Sequence, residues 1–185
     1  GAFYGPKIDI HIKDSQDRDW QLATIQLDFQ IPERLKLEYI DSDGKARQPV
    51  IIHRAILGSI ERFIGILTEH YQGAFPTWLS PIQVLVLPIA DRHGEHARKI
   101  TQELKGHGIR AELDNRSERL QAKIRDGSLQ KVPYLVIIGD RETESRILKI
   151  EDKNISVRTR EGKDLGQLKI SQFLNKLKEE IDKKI

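Results

Sequence analysis

A chain of 185 residues, 38% of them hydrophobic, can build a core in each of one or two domains. No stretch reaches the roughly 18–20 uninterrupted apolar residues of a membrane span, the N-terminus lacks the regions of a signal peptide, and zero cysteines exclude disulfides and thiolate metal sites, so the cytoplasm is the expected compartment and no membrane partner is expected. The formal net charge of +3 is uneven: residues 1–80 carry 9 Lys and Arg against 11 Asp and Glu, and residues 81–185 carry 22 against 17, a local basic excess that suits RNA as well as it suits an ordinary domain.

Lys7 to Lys13 alternates Ile8, Ile10 and Ile12 with polar residues, and Trp20 to Phe29 is a second extended run stopped by Pro32; both have the period of half-buried strands in an antiparallel sheet. Asp41 to Gly44 is a turn between Leu35–Ile40 and Val50–His53. From Arg54 the spacing of Leu57, Ile60, Ile64 and Leu67 predicts a helix. Gly58 and Gly65 inside it predict a close approach by a neighbouring strand or a ligand.

The breaker-rich segment from Gly73 to Pro81 separates two patterns, and the division is set after Ser80: residues 1–80 and residues 81–185. Beyond it come a strand at Gln83–Ile89, a helix at Gly94–Lys105, a short strand at Arg110–Leu113 and a helix at Glu118–Gln130. An all-apolar strand at Tyr134–Ile138, a hairpin over Ile147–Arg160 and a helix over Ser171–Lys184 capped by Ser171 follow. The alternation predicts an α/β layer fold with helices on both faces of a mixed sheet.

The segment from Ile52 to Arg62 carries a histidine, two arginines, a glutamate and a serine on an apolar, buried-looking framework, and each needs a partner. Arg62, flanked by Ile60, Phe63 and Ile64, is either a cation aimed into a pocket or half of an internal Arg–Glu pair. A lone His53 on an apolar strand reads by itself as a satisfied core residue.

The string from Arg54 to Leu67 resembles the third signature of class II aminoacyl-tRNA synthetases, a strand entering a helix with a glycine followed four positions later by an arginine. Gly1-Ala-Phe-Tyr-Gly-Pro-Lys-Ile8, Trp20-Gln-Leu-Ala-Thr-Ile-Gln-Leu-Asp-Phe29, Pro32-Glu-Arg34 and Gly73-Ala-Phe-Pro-Thr-Trp-Leu-Ser-Pro81 resemble the threonyl-tRNA synthetases far better than the prolyl, histidyl or glycyl ones. Leu22-Ala23 stands where many members of that family have Cys-Gly. Tyr134 to Asp140 and Val157-Arg-Thr-Arg-Glu-Gly-Lys-Asp-Leu-Gly166 resemble the anticodon-binding domain that these enzymes share, with extra residues around Ile150–Asn154.

The resemblance implies an α+β antiparallel-sheet catalytic segment of class II type, followed by an α/β mixed-sheet anticodon-binding domain. It implies a threonine–tRNA ligase activity that uses ATP with magnesium to form the adenylate and transfers threonine to tRNA(Thr), in a homodimeric full-length enzyme. Arg62 would bind ATP, and Lys7, lining the threonine and adenylate site, would be the second catalytic residue. Tyr4, Gln21, Thr24, Gln26 and Ser59 would line the threonine, adenylate and terminal-adenosine site, although the two glutamines also read as a solvated face and Thr24 as an ordinary strand residue. His53 would be the last of three zinc ligands, the others being one cysteine and a second histidine. Ser117, Arg119, Arg125, Glu142 and Arg158 would contact anticodon bases and phosphates, although Arg125 also reads as a solvated helix charge.

The first two signatures, the other zinc ligands and the editing region of that family have no counterpart in the sequence. With no methionine and a start at Gly1-Ala-Phe-Tyr, the chain is expected to be the C-terminal part of a longer enzyme, inactive alone and without tight zinc binding. A complementary chain would dock on the strand edges at residues 8–12 and 20–29. The alternative is a non-catalytic tRNA anticodon-binding module; a remnant without any ligand is the third reading.

Overall fold

The computed structural model describes residues 3–143 and 149–185. The chain divides into two compact units, Gly1–Gln72 and Gly73–Ile185. The split falls eight residues before the division after Ser80. Thr77 and Ser80 explain the difference: both are buried within the second unit, Thr77 donating from Oγ1 to Glu180 at 2.7 Å and Ser80 from Oγ to the Phe75 carbonyl at 3.0 Å.

In the first unit, β1 (Lys7–Lys13), β2 (Asp19–Asp28) and β5 (Ile51–Ala55) form an antiparallel sheet in the order β1-β2-β5. Between β2 and β5 lie a short helix α1 (Gln30–Arg34) and the hairpin of β3 (Tyr39–Ile40) with β4 (Ala46–Arg47), and the helix α2 (Ile60–Tyr71) follows β5. Register sorts the side chains. Lys7 and Asp9 pair with Gln26 and Thr24, which pair in turn with His53 and Ala55, so one face of the sheet is polar. Ile8 pairs with Ile25, and Leu27 with Ile52, on the other face.

That apolar face is open. Ile8, Ile10, Ile25 and Ile52 are exposed, at 62%, 51%, 40% and 64%, and Ile56, Ile60 and Ile64 are exposed too. The expectation of half-buried strands and a buried segment around Arg54 is therefore corrected. The alternation gives the strand and its two faces, but burial needs a second layer, and among the described residues of this unit no helix covers the isoleucines. The helix also starts later than its spacing suggests: Arg54 and Ala55 still belong to β5, and α2 begins at Ile60 after Ser59, whose side chain caps it by accepting from the Arg62 amide.

Gly58 makes the turn between them at φ +64°, and a Cβ there would lie 3.2 Å from the carbonyl oxygen of Leu22 on β2. The close approach expected of the two glycines is thus found at Gly58; Gly65 has open space around it. Gly58→Ala is expected to destabilise this unit by about 1–2 kcal/mol through the left-handed backbone alone, measurable as a lowered denaturant midpoint.

The second unit is a five-stranded mixed sheet in the order β10-β9-β8-β6-β7. Its elements are β6 (Val84–Pro88), α3 (Gly94–Gly106), β7 (Ala111–Leu113), α4 (Leu120–Leu129), β8 (Tyr134–Ile138), α5 (Asp140–Thr143), β9 (Asn154–Thr159), β10 (Asp164–Lys169) and α6 (Ile170–Lys183). β6, β7 and β8 are parallel and the last two strands antiparallel. Alternate residues feed two cores. Val84, Val86, Val136 and Ile138 pack with Ala97, Ile100 and Leu104 of α3 and Phe173, Leu174 and Leu177 of α6. Leu85, Leu87 and Leu135 pack with Leu120 and Ile124 of α4. Helices thus cover both faces, which is why β6 and β8 read as unbroken apolar runs.

Two local expectations are corrected. The hairpin joins β9 to β10, residues later than Ile147–Arg160, because Gly162 at φ +86° makes the turn and Ile150–Asp152 is a single 3-10 turn; Ile147 and Leu148 lie outside the described residues. Ser171 is inside α6 rather than at its cap. Lys169 takes that place, its amide donating to Oε1 of Gln172 at 3.1 Å.

Candidate functional site

The polar face of the first sheet carries a cavity of about 530 Å³ whose lining includes Tyr4, Thr24, Gln26, Asp28, His53 and Arg54. Four residues expected from the sequence, Tyr4, Thr24, Gln26 and His53, come together here. Gln26 is only 8% exposed and its Nε2 has no hydrogen-bond partner among the described residues, an unmet donor in a polar recess of the kind a ligand satisfies. His53 is half-exposed; its Nε2 lies 2.9 Å from Oδ2 of Asp28, a carboxylate that is itself buried.

Beside the cavity, Asp9 gathers two more expected residues, Lys7 and Gln21, together with Thr24. The Lys7 ammonium is 2.9 Å from its Oδ2, and its Oδ1 accepts from Gln21 Nε2 at 2.6 Å and from Thr24 Oγ1 at 2.9 Å. The Lys7 contact, with help from Thr24, holds the Asp9 carboxyl below the usual carboxylate range. Lys7 is consequently a cation with a partner in place, which an anionic substrate would have to share or displace.

Arg62 stands apart. It is exposed on α2, no carboxylate lies within ion-pair distance among the described residues, and its guanidinium sits over the Trp20 ring at 5.7 Å. The internal Arg–Glu pair is not formed, because Glu61 accepts from Ser59 Oγ at 2.7 Å instead. Trp20 is anchored in turn, its Nε1 donating to Asp14 Oδ2 at 2.7 Å. Ser59 serves as the helix cap described above and does not line the cavity.

In the second unit, a recess of about 340 Å³ opens beyond the C-terminal end of β6, lined by Ala90, Asp91, Ser117, Glu118, Arg119 and Lys123 among others. β6 sits between β8 and β7, so the chain leaves it to one side for β7 and returns to the other for β8. Such a switch point opens a crevice at the carboxyl ends of parallel strands, where ligands bind in open α/β sheets. Ser117 and Arg119 both face it, and the amino end of α4 begins at Arg119. Lys123 is buried on α4 with its ammonium 3.2 Å from the Asp114 carbonyl and 3.3 Å from that of Pro88. Arg116 is committed: its fork meets Asp114 at 3.0 and 2.7 Å and Asp126 at 3.0 Å, which raises its pKa and holds that of Asp114 down.

The other three expected anticodon residues do not share this recess. Arg125 is exposed, 3.8 Å from Asp126. Arg158 lies on β9, 3.6 Å from Asp164. Glu142 is buried, accepting from the Gly139 amide at 2.9 Å, from Ser156 at 2.8 Å and from Gln167 at 3.3 Å, so its carboxylate is occupied within the unit.

Sequence reasoning missed Asp9, Asp28 and Lys123. Asp9 had a signal, a carboxylate among alternating isoleucines; Asp28 had another, an acid just before the start of a helix. Lys123 had none, because its acceptors are carbonyls of remote segments.

Two family models match the chain: the tRNA synthetase class II core domain (G, H, P, S and T) over residues 1–71 and the anticodon binding domain over residues 83–180. Together they define a class II aminoacyl-tRNA synthetase architecture. A threonine–tRNA ligase of Caldanaerobacter subterraneus subsp. tengcongensis is 56% identical over 181 residues, 98% of this chain and 27% of that protein. One of Aquifex aeolicus is 52% identical over 184 residues, all of this chain and 28% of that protein. A crystal structure of the RNA binding domain of threonyl-tRNA synthetase from Cryptosporidium parvum Iowa II superposes with a TM-score of 0.82 at 39% identity, covering 97% of this chain and 44% of that one. The chain belongs to the threonyl-tRNA synthetase family and spans little more than a quarter of the length of these curated relatives.

Proposed function

We propose that this chain is the part of a threonine–tRNA ligase that completes the ATP and threonine site and reads the anticodon of tRNA(Thr). The observation that carries the reading is the polar face of the first sheet, where a buried, unpartnered Gln26 amide and an oriented His53 line one cavity. An ordinary sheet face would be solvated or satisfied.

In this reading Arg62 leaves the Trp20 ring to meet the triphosphate of magnesium-bound ATP with its planar fork. The carboxylate of threonine attacks the α-phosphate in line and pyrophosphate departs, with Lys7 adding positive charge where oxygens become more anionic. Gln26, Thr24, Tyr4 and Gln21 supply hydrogen bonds that fix the amino acid, the adenylate and the terminal adenosine.

The residues present fit a contribution of one ligand to a zinc site: His53 has Nδ1 unpartnered among the described residues while Nε2 is held by Asp28. Among the described residues no group of three His, Asp or Glu could hold a metal by itself, so the remaining ligands come from elsewhere in the ligase. When bound, zinc would offer open positions to the amino and hydroxyl groups of threonine, which valine cannot match. The open isoleucine face of the first sheet is where the remainder of the catalytic domain packs, in a homodimeric cytoplasmic enzyme. Among the described residues no helix is long and apolar enough to cross a membrane.

The isolated chain is expected to bind an anticodon stem-loop of tRNA(Thr) with affinity falling linearly in log salt, and to support no threonine-dependent exchange of pyrophosphate into ATP. Arg119→Ala should weaken stem-loop binding by about 1–3 kcal/mol, read by fluorescence anisotropy. Equal affinity for a scrambled hairpin, or exchange activity from the chain alone, would sink the assignment.

A further inference from the structure

Asp28 has both carboxylate oxygens in use although it is 1% exposed. Oδ1 accepts from the amides of Gln30 and Ile31, each at 3.0 Å, at the start of α1, and Oδ2 faces Nε2 of His53 at 2.9 Å. Two backbone amides therefore fix the carboxylate before it meets the imidazole. An ionised carboxylate only accepts hydrogen bonds, so the neutral ring that faces it must carry its proton on Nε2. Nδ1 is then left with its lone pair, and His53 lines the cavity.

We propose that Asp28 is a positioning residue: it locks His53 as the Nε2–H tautomer, so that Nδ1 is the donor atom His53 offers to the site. The inference rests on the reading of His53 as a metal ligand. Carboxylate partners of this kind orient metal-binding imidazoles and raise their basicity, and losing them typically weakens metal affinity about 10- to 100-fold.

Asp28→Asn separates the two jobs of the carboxylate. The carboxamide oxygen can still accept from Gln30 and Ile31, since asparagine caps helices as well as aspartate does. Its NH₂ must then face the ring, and a donor facing Nε2 forces the proton to Nδ1. Long-range ¹H–¹⁵N correlation spectra of the 185-residue chain, taken where the ring is neutral, read the tautomer directly. The amide resonances of Gln30 and Ile31 report whether the cap survives.

The wild type is expected to show His53 with the proton on Nε2 and the variant with the proton on Nδ1. Co²⁺ alone, added as a paramagnetic probe, is expected to broaden the wild-type His53 ring resonances, and the concentration needed for the same broadening is expected to rise about 10- to 100-fold in Asp28→Asn. A wild-type ring protonated on Nδ1 overturns the proposal without any variant, and so does an Asp28→Asn chain whose cap survives but whose tautomer and Co²⁺ response are unchanged. A His53→Ala substitution in the full ligase that leaves its zinc content unchanged, with the wild-type tautomer on Nε2 as expected, overturns the metal reading itself; the two failures are thus distinguishable.

Discussion

Phe173→Ala is expected to destabilise the second unit by about 3–5 kcal/mol, the range found for truncating a fully buried aromatic residue. Phe173 is wholly buried among Val84, Val86, Ile100, Leu104 and Val136, where four elements meet: the parallel strands β6 and β8, and the helices α3 and α6. Its ring also stands edge-on to Tyr134 with centroids 5.3 Å apart, a geometry worth about 0.5–1.5 kcal/mol beyond area burial. Tyr134 has little freedom to collapse into the gap. Its hydroxyl donates to Glu180 Oε1 at 2.6 Å, and burial together with Glu180 pushes its pKa up to about 12. A hydrogen-exchange measurement should show the loss at the amides of Val136 and Ile138, two of the fully buried strand residues. Phe173→Leu, which keeps most of the volume, is expected to cost less than half as much; equal costs for the two variants would show that the ring's own geometry, and not buried apolar volume, holds this core.

The two units differ in how far they could be read from sequence, and the difference has one physical origin. In the second unit the information is complete within the chain. Val84 to Pro88 and Tyr134 to Ile138 are apolar at every position because α3 and α6 cover one face and α4 the other, so pattern and burial agree. In the first unit the pattern is equally clear, but the layer that would bury Ile8, Ile25 and Ile52 is not supplied by these residues. The strands were legible and their burial was not. The boundary of α2 failed for a related reason. Leu57 falls at helical spacing with Ile60 and Ile64, yet Gly58 in the left-handed region and the Ser59 cap decide where the helix begins.

The same split holds for the candidate sites. Gln26 and His53 were singled out only through the family resemblance, since by themselves they read as a solvated face and a core histidine, and register places them opposite each other. Ser117 and Arg119 come together because both lie on the short loop that follows β7 at the switch point. Asp28 and Lys123 act through partners 25 and 35 residues away, His53 and Pro88, and periodicity carries no information about such pairs. Glu142 shows the reverse error. The resemblance implied it as an anticodon contact, but its neighbours Gly139, Ser156 and Gln167 use up its carboxylate.

Arg62→Ala, introduced into the ligase of which this chain is proposed to be part, is expected to lower kcat/KM for ATP-dependent pyrophosphate exchange by about 100- to 1,000-fold, the usual effect of removing one preorganised charge-stabilising donor. The stability of the protein should hardly change. Arg62 is exposed, has no carboxylate partner among the described residues and holds its guanidinium over the Trp20 ring, so truncating it falls among surface substitutions worth about 0.5 kcal/mol or less. That contrast is what separates a substrate-binding cation from a structural one. An arginine kept for an internal ion pair would lose stability and activity together, because its abandoned carboxylate would be left unpaired. Arg62→Lys keeps the charge but loses the planar fork that grips two phosphate oxygens at once and stacks on rings. It should therefore recover only a minor part of the activity, with the ATP KM still raised; full recovery would reduce Arg62 to a point charge and remove the reason for its seat on Trp20.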